Sequence, residues 1–107
     1  MKPTLSKAAF FFAKPGKSEE LGERLLALVD PTRQEEGCLR YHILKSSDDP
    51  DHWFIYEDWR SEADFNGHMV QPYIREFMGV VGDLCRDEVE ICTYVQASPS
   101  YNQPNLN

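Results

Sequence analysis

The sequence predicts an α+β domain with a ferredoxin-like β-α-β-β-α-β order, in which helices cover one face of a four-stranded antiparallel sheet. Three observations lead to this fold class. Four short segments have the apolar and β-branched composition of strands, two stretches repeat apolar residues at helical spacing, and clusters of turn-forming residues separate them. We assign residues 1–95 to this domain and residues 96–107, mostly Ser, Pro, Asn and Gln, to a polar C-terminal tail.

The first half of the domain begins with a strand and a helix. Leu5 to Ala13 is largely apolar and ends at the turn-forming residues Lys14-Pro15-Gly16. A helix is predicted from about Ser18 to Val29, and Pro31 is expected to end or kink it. Its apolar residues recur at i, i+4, i+7 and i+8, which is the pattern of an amphipathic helix: Leu21, Leu25, Leu28 and Val29.

The remaining strands form a predicted hairpin and a C-terminal edge strand. Cys38 to Lys45 and His52 to Trp59 are joined by Ser46 to Asp51, which is dense in turn-forming residues. The last strand, Glu88 to Val95, is rich in β-branched residues and alternates apolar with polar positions.

The second helical stretch begins at Ser61. Asp64, three positions later, completes a variant of the capping box in which Asp replaces the usual Glu. Pro72 is expected to interrupt this helix. The apolar stripe of its continuation consists of Ile74, Phe77, Met78 and Val81.

The two central strands have apolar residues on both faces, and this predicts a homodimer. In the ferredoxin-like order, strands one and three are central, and Ala8 to Phe12 and Trp53 to Tyr56 are apolar at consecutive positions. Helices can cover only one face, so the other would expose more aromatic surface than a soluble monomer usually tolerates. We therefore expect two sheets to pack face to face as a dimeric α/β barrel.

The composition disfavours several classes of partner. The sequence has 11 basic and 18 acidic residues, and the formal net charge of −7 opposes binding to nucleic acid or to an anionic membrane. No apolar run approaches the ~20 residues that span a bilayer, and the N-terminus lacks a signal-peptide pattern, so we expect a cytoplasmic protein. Cys38, Cys85 and Cys92 form no metal-binding or disulfide pattern and are expected to be reduced thiols.

His68 is the main acid–base candidate. It lies three positions after Phe65 on the inward face of the second helical stretch. An ordinary histidine pKa of about 6.5 suits proton transfer near neutral pH, although a hydrogen-bonded core histidine is the alternative interpretation. His42 and His52 are expected to face solvent near the hairpin. Because the histidines lack the i, i+4 spacing of a helical metal site, no metal is predicted.

Charged and aromatic residues near the ends of the middle strands are further candidates. Glu57 and Asp58 end the third strand opposite Arg40, which predicts a cross-strand ion pair. Amphipathic aromatic side chains can line a mostly apolar cavity while offering hydrogen bonds, though each of them is equally consistent with a purely structural role in the core. The aromatic residues in question are Tyr41, Tyr56, Trp59 and Tyr73.

Short motifs from Leu5 to Val95 together resemble the antibiotic biosynthesis monooxygenase domain, a dimeric α/β barrel. They are Pro15-Gly16-Lys17, Glu36-Gly37-Cys38-Leu39-Arg40-Tyr41, Asp49-Pro50, the run from Phe54 to Ser61, His68 and Pro72-Tyr73. The resemblance implies a homodimer that oxidises a small aromatic, polyphenol or quinol with molecular oxygen and uses no metal or flavin cofactor. In such a reaction a base removes a phenolic proton, the anion reduces oxygen, and the radicals recombine in a dry cavity.

At the matching positions, the resemblance implies catalytic roles for three residues and substrate contacts for three more. His68 is the expected base. The catalytic set is His68, Trp59 and Tyr73, and the substrate-binding set is Tyr41, Tyr56 and Phe65.

Departures from related proteins leave the reaction open. The haem-degrading branch combines a tryptophan resembling Trp59 with an asparagine on the first strand and a histidine late in the second helix. This first strand has no asparagine and the late helix has Phe77 and Met78, so haem breakdown is disfavoured. Two alternatives remain: a small-metabolite isomerase or detoxification enzyme on the same fold, and a non-catalytic dimeric ligand-binding or stress-response module.

Overall fold

The computed structural model describes residues 5–99, which contain four strands and four helices. No helix in this part of the chain is long and apolar enough to cross a membrane. The elements in chain order are β1 (Leu5–Phe12), α1 (Ser18–Leu26), α2 (Val29–Arg33), β2 (Cys38–Lys45), β3 (His52–Trp59), α3 (Glu62–Met69), α4 (Pro72–Leu84) and β4 (Glu90–Tyr94).

The sheet has the predicted α+β, ferredoxin-like topology. Its strand order is β2-β3-β1-β4 and every pairing is antiparallel, so β1 and β3 are central as expected from their consecutive apolar residues. In the central register Leu5 pairs with Trp59 and Phe12 with His52. Because side chains alternate between faces, this register places Ala9, Phe11 and Ile55 on one common face.

The helices cover that face and form the core with it. Leu21 and Leu25 of α1 are completely buried, and α4 contributes Phe77, whose ring meets the ring of Phe11 edge-on at 5.9 Å. The helical spacing of these residues produces one apolar stripe per helix, which can be buried against a single sheet face. The predicted amphipathic character of the two helical stretches is therefore confirmed, although the first stretch consists of two helices.

The opposite face of the sheet, which we call the open face, is not covered by any element among residues 5–99. The aromatic residues that β1 and β3 place on this face are half-buried, and their rings stack on one another. The rings of Phe10 and Phe54 stack at 5.1 Å, and those of Phe12 and His52 stack at 4.3 Å. A depression of about 400 Å³ lies on this face between the central strands and Tyr94.

Local details both confirm and correct the predicted boundaries. The single helix predicted over Ser18 to Val29 is two helices, and Pro31 lies in the first turn of α2, where its missing N–H has no intrahelical acceptor. The predicted cap of α3 is confirmed, since the Ser61 hydroxyl accepts a hydrogen bond from the Asp64 N–H at 3.1 Å.

Of two further predictions, one is confirmed and the other is correct only for His42. The three cysteines are unpaired, as expected. His42 is exposed, but His52 is not turned to solvent, because its Nδ1 lies 3.1 Å from the Phe11 carbonyl oxygen and its ring stacks on Phe12. Of the predicted tail, the structure describes residues 96–99, which form neither helix nor strand; residues 100–107 lie outside the described part.

Candidate active site

His68 occupies the centre of the space between α3 and the sheet. It is 2% exposed and shares the inward face of α3 with Phe65, as their spacing predicts. Its imidazole ring lies 4.7 Å from the ring of Trp59 on β3 and 5.8 Å from the ring of Tyr41 on β2. Two strands and a helix thus hold one titratable group in an almost entirely aromatic environment.

Glu35, in the loop between α2 and β2, fixes the orientation of that histidine. Its Oε2 atom lies 2.9 Å from Nδ1 of His68, and the Tyr73 hydroxyl donates a hydrogen bond to the same oxygen. The loop is held in place because the Arg33 guanidinium donates twice to the backbone carbonyl of Tyr41, at 3.0 and 2.7 Å. Oε2 acts as acceptor for both residues, so Nδ1 of His68 carries the proton and Nε2 keeps its lone pair.

The pKa of His68 is lowered from its ordinary value. Burial is the larger cause, since it penalises the charged imidazolium, and it outweighs the opposing hydrogen bond and charge of Glu35. The imidazole is therefore neutral near pH 7. A neutral, oriented imidazole with a free Nε2 lone pair has the form that a general base requires.

Glu57 is a second buried titratable group, on β3. It is 4% exposed, and Trp59 donates to its Oε1 from the indole nitrogen at 2.7 Å. Burial raises its pKa to about 7, against the opposing effects of the Trp59 hydrogen bond and the nearby Lys7 charge. Near neutral pH a substantial fraction of this carboxyl group is protonated, which is unusual for glutamate.

Lys7 is the cross-strand partner of Glu57 and is 5% exposed. Its ammonium nitrogen lies 2.8 Å from the Thr93 hydroxyl, 3.2 Å from a carboxylate oxygen of Glu62 and 4.3 Å from the centre of the Phe65 ring. These three contacts supply partners for the buried ammonium group. Lys7 therefore pairs with Thr93 and Glu62 and makes no direct ion pair with Glu57.

A small cavity lies beside these groups, between the sheet and helices α3 and α4. Its volume is about 30 Å³, room for about one water molecule and far less than a small-molecule pocket. His68, Glu57 and Tyr41 supply its polar groups, and the rest of the lining is apolar. The half-exposed side chains of Met78 and Ile91 belong to that lining, so a ligand would enlarge the cavity by displacing them.

The structure brings together four of the six residues expected from the family resemblance. His68 and Tyr41 line the cavity. The rings of Trp59, which is completely buried, and Phe65 pack against the imidazole ring of His68, with distances between ring centres of 4.7 and 6.1 Å. The indole N–H is directed to Glu57, so Trp59 acts on that carboxyl group in this structure.

The other two residues lie elsewhere. Tyr73 donates a hydrogen bond to Glu35, and it lines a separate hollow of about 170 Å³ between α1 and α4. Burial raises its pKa above the ordinary value of tyrosine, as does the hydrogen bond to Glu35. Tyr56 lies on the open face of the sheet with Phe54, because its position on β3 alternates with Ile55 and Glu57.

Two central residues were not identified from the sequence as parts of a site. The predicted cross-strand ion pair with Arg40 is present and is made by Asp58 at 3.7 Å, whereas Glu57 lies on the other face of β3. The sequence did contain a pattern that places Glu57 in the site, because Glu57 is two residues from Trp59 on β3 and so shares its face. Glu35 carries no such signal, because it lies 33 residues from His68 in a loop.

Sequence comparison places the chain among known proteins. Residues 4–80 match the profile of a family described as antibiotic biosynthesis monooxygenase. The uncharacterised Synechocystis protein sll1783 is 31% identical over 81 residues, which are 76% of this chain and 55% of that protein. A Mycobacterium tuberculosis protein with the name "Putative monooxygenase Rv0793" is 28% identical over 91 residues, 85% of this chain and 89% of its own length. This chain thus spans about half the length of the Synechocystis relative.

Solved structures support the same placement. PA3566 from Pseudomonas aeruginosa has a TM-score of 0.86 and 30% sequence identity, with 92% of this chain and 98% of the other covered. SO0527 from Shewanella oneidensis has a TM-score of 0.84 and 30% identity, covering 90% and 93% of the two chains. Both similarities cover at least 90% of this chain.

Proposed function

Because this chain belongs to the antibiotic biosynthesis monooxygenase family, we propose that it oxidises a small aromatic or quinol with molecular oxygen. The reaction takes place in the cavity between the sheet and α3–α4, with side chains of this chain as the only catalytic groups. Family membership and the name of the mycobacterial relative support the reaction class. The buried base and the aromatic lining support the substrate class.

The observation that carries the proposal is the environment of His68. Its Nδ1 is fixed by Glu35, its ring packs against the ring of Trp59, and the residue lines the cavity, so we assign Nε2 to the ligand. The low pKa of the imidazole keeps it unprotonated at neutral pH. A phenolic hydroxyl bound at Nε2 can therefore transfer its proton, which general-base catalysis requires to occur at hydrogen-bond distance.

The chemistry follows from that proton transfer. The phenolate formed is electron-rich and transfers one electron to oxygen, and the resulting superoxide and semiquinone radicals combine at a ring carbon as a peroxide. A water-poor cavity protects these intermediates, and the apolar lining provides one. For menadiol as substrate, one quinol and one oxygen molecule give one hydroxylated naphthoquinone and one water, so atoms and electrons balance.

Oxygen uptake with menadiol tests the proposal. The rate is measured in an oxygen electrode for the wild type and for His68→Ala, after subtraction of the spontaneous oxidation rate. We expect His68→Ala to lose about a hundredfold or more of the enzymatic rate, the usual contribution of a general base. His42→Ala is the matched control, because it removes an exposed histidine of β2. Equal rates for wild type and His68→Ala would remove the base from the mechanism, and tight binding without uptake would indicate a binding protein.

We further propose that the protein acts as a homodimer. The support is the open face, on which the aromatic rings of both central strands remain half-exposed, whereas the helices pack on the other face. Burying one such aromatic side chain contributes roughly 1.5–3 kcal/mol. A second copy offers an identical apolar surface, which is the complementarity that a two-fold interface requires.

A further inference from the structure

We infer that Glu57 is a second catalytic residue of this site, the acid that protonates the departing oxygen when the O–O bond of the substrate peroxide breaks. The inference rests on the proposed function and extends it. It assigns the two buried titratable groups of the cavity to opposite proton transfers, His68 as base and Glu57 as acid.

The geometry that supports this assignment is the position of the two groups around Trp59. The indole ring lies 4.7 Å from the imidazole of His68, and its N–H lies 2.7 Å from Oε1 of Glu57. Both residues line the same cavity. Since Trp59 occupies Oε1, the carboxyl proton belongs on Oε2, and the indole fixes the direction in which that proton is presented.

The reaction needs an acid at one defined step. After the first proton transfer, the imidazolium of His68 returns its proton to the peroxide anion, which gives a hydroperoxide on a ring carbon that still carries hydrogen. His68 then removes that hydrogen as a proton, the C–H electron pair forms the new C=O bond, and the O–O bond breaks. The departing hydroxide takes the Glu57 proton and leaves as water. Exchange of a proton between the imidazolium and the carboxylate, through water, restores both groups.

The charged and titratable groups around Glu57 are consistent with a carboxyl group that is partly protonated near neutral pH and can still donate its proton. Lys7 on β1 favours the carboxylate, whereas Glu35 disfavours it, and burial is larger than either effect. Tyr41 and Cys38 of β2 also face this carboxyl group, and burial raises the pKa of both, so neither competes as a proton donor. With a pKa of about 7, Glu57 can donate at neutral pH and be reprotonated afterwards.

Without an acid the hydroperoxide has a different outcome. The carbon–oxygen bond breaks instead of the O–O bond, which releases hydrogen peroxide and leaves the quinone. For menadiol that outcome gives one menadione and one hydrogen peroxide for each oxygen consumed. The ratio of hydroxylated naphthoquinone to hydrogen peroxide thus reports on the acid, separately from the overall rate.

The test measures that ratio with menadiol for wild type, Glu57→Gln and Asp58→Asn. The Asp58 variant removes a carboxylate from the opposite face of the same strand, where that carboxylate accepts a hydrogen bond from the Ser6 hydroxyl. We expect Glu57→Gln to lower the ratio by at least about tenfold, in line with the usual contribution of a general acid, and Asp58→Asn to leave it unchanged. In the wild type we expect the ratio to fall as the pH rises through about 7, where Glu57 loses its proton.

The outcomes separate the two proposals. An unchanged product ratio in an active Glu57→Gln enzyme, or a wild-type ratio that does not vary across this pH range, would overturn the role of Glu57 alone. The wild-type profile decides the matter even where the variant does not fold. Absence of oxygen uptake by the wild type above the spontaneous rate would overturn the proposed function and this inference together.

Discussion

Replacement of Glu57 by glutamine should remove a pH-dependent destabilisation of the fold. A pKa raised from 4.5 to about 7 means that the folded protein binds this proton more tightly than the unfolded chain does. The stabilising contribution of the protonated Glu57 is therefore fully present below the pKa that this group has in the unfolded chain. It is lost as the pH rises through the pKa of the group in the folded protein. Between about pH 5 and about pH 8 the linkage amounts to roughly 2–3 kcal/mol for a single group.

Urea denaturation at the two pH values measures this effect. We expect the free energy of unfolding of Glu57→Gln, relative to wild type, to be higher at about pH 8 than at about pH 5 by roughly 2–3 kcal/mol. His68 acts in the opposite sense, because its lowered pKa costs stability as the pH falls, but it is common to both proteins and cancels. Glu76→Gln, at an exposed position on α4, is the control. The same difference between wild type and Glu57→Gln at both pH values would refute the reasoning.

Three further changes have expected outcomes. Glu35→Gln weakens the orientation of the buried histidine, and we expect it to lower kcat for menadiol oxidation by about tenfold or more with little change in KM; an unchanged kcat would contradict a positioning role. Phe54→Asp places a charge on the open face, and sedimentation velocity should then show a monomer; a dimer as tight as wild type would exclude that face as the interface. Ser61→Ala removes the cap of α3 and should cost about 1 kcal/mol in urea denaturation, whereas the exposed Ser47→Ala should cost almost nothing; equal costs would contradict the assigned cap.

The architecture could be predicted because its determinants are local or periodic. The β-α-β-β-α-β order predicted β1 and β3 as the central strands, their consecutive apolar residues agreed, and the sheet has this topology. The cap at Ser61 was predicted from two residues three positions apart, and the hydrogen bond is present. The motif resemblance to the antibiotic biosynthesis monooxygenase family is confirmed as well.

The site was less predictable, and two glutamates show why. The face of Glu57 follows from alternation along β3, so its burial beside Trp59 was available from the sequence, but the neighbouring Asp58 offered the same charge for the pair with Arg40. Glu35 is different. Its contact with His68 depends on how α2 and its following loop pack onto β2, which no periodicity in the sequence encodes.

The same alternation also separates two roles that the sequence interpretation had combined. Tyr56 and Phe54 share one face of β3, and Ile55, Glu57 and Trp59 share the other. The first set therefore belongs to the open face and to the proposed dimer interface, and the second belongs to the helix-covered face that forms the candidate site. A substitution at Tyr56 should accordingly weaken dimer formation more than it lowers the rate of oxidation.

One physical cause produces both proton-transfer groups of this site. Burial in the aromatic space between α3 and the sheet lowers the pKa of His68 and raises that of Glu57, because it disfavours the charged form of each. The neutral pair is thus a base and an acid at the same pH, while Glu35 orients the first group and Trp59 the second. A substrate that enters by displacing Met78 surrounds both groups with more apolar atoms, and this deepens their burial. Binding of an apolar substrate should therefore strengthen the difference between the two pKa values on which the proposed reaction depends.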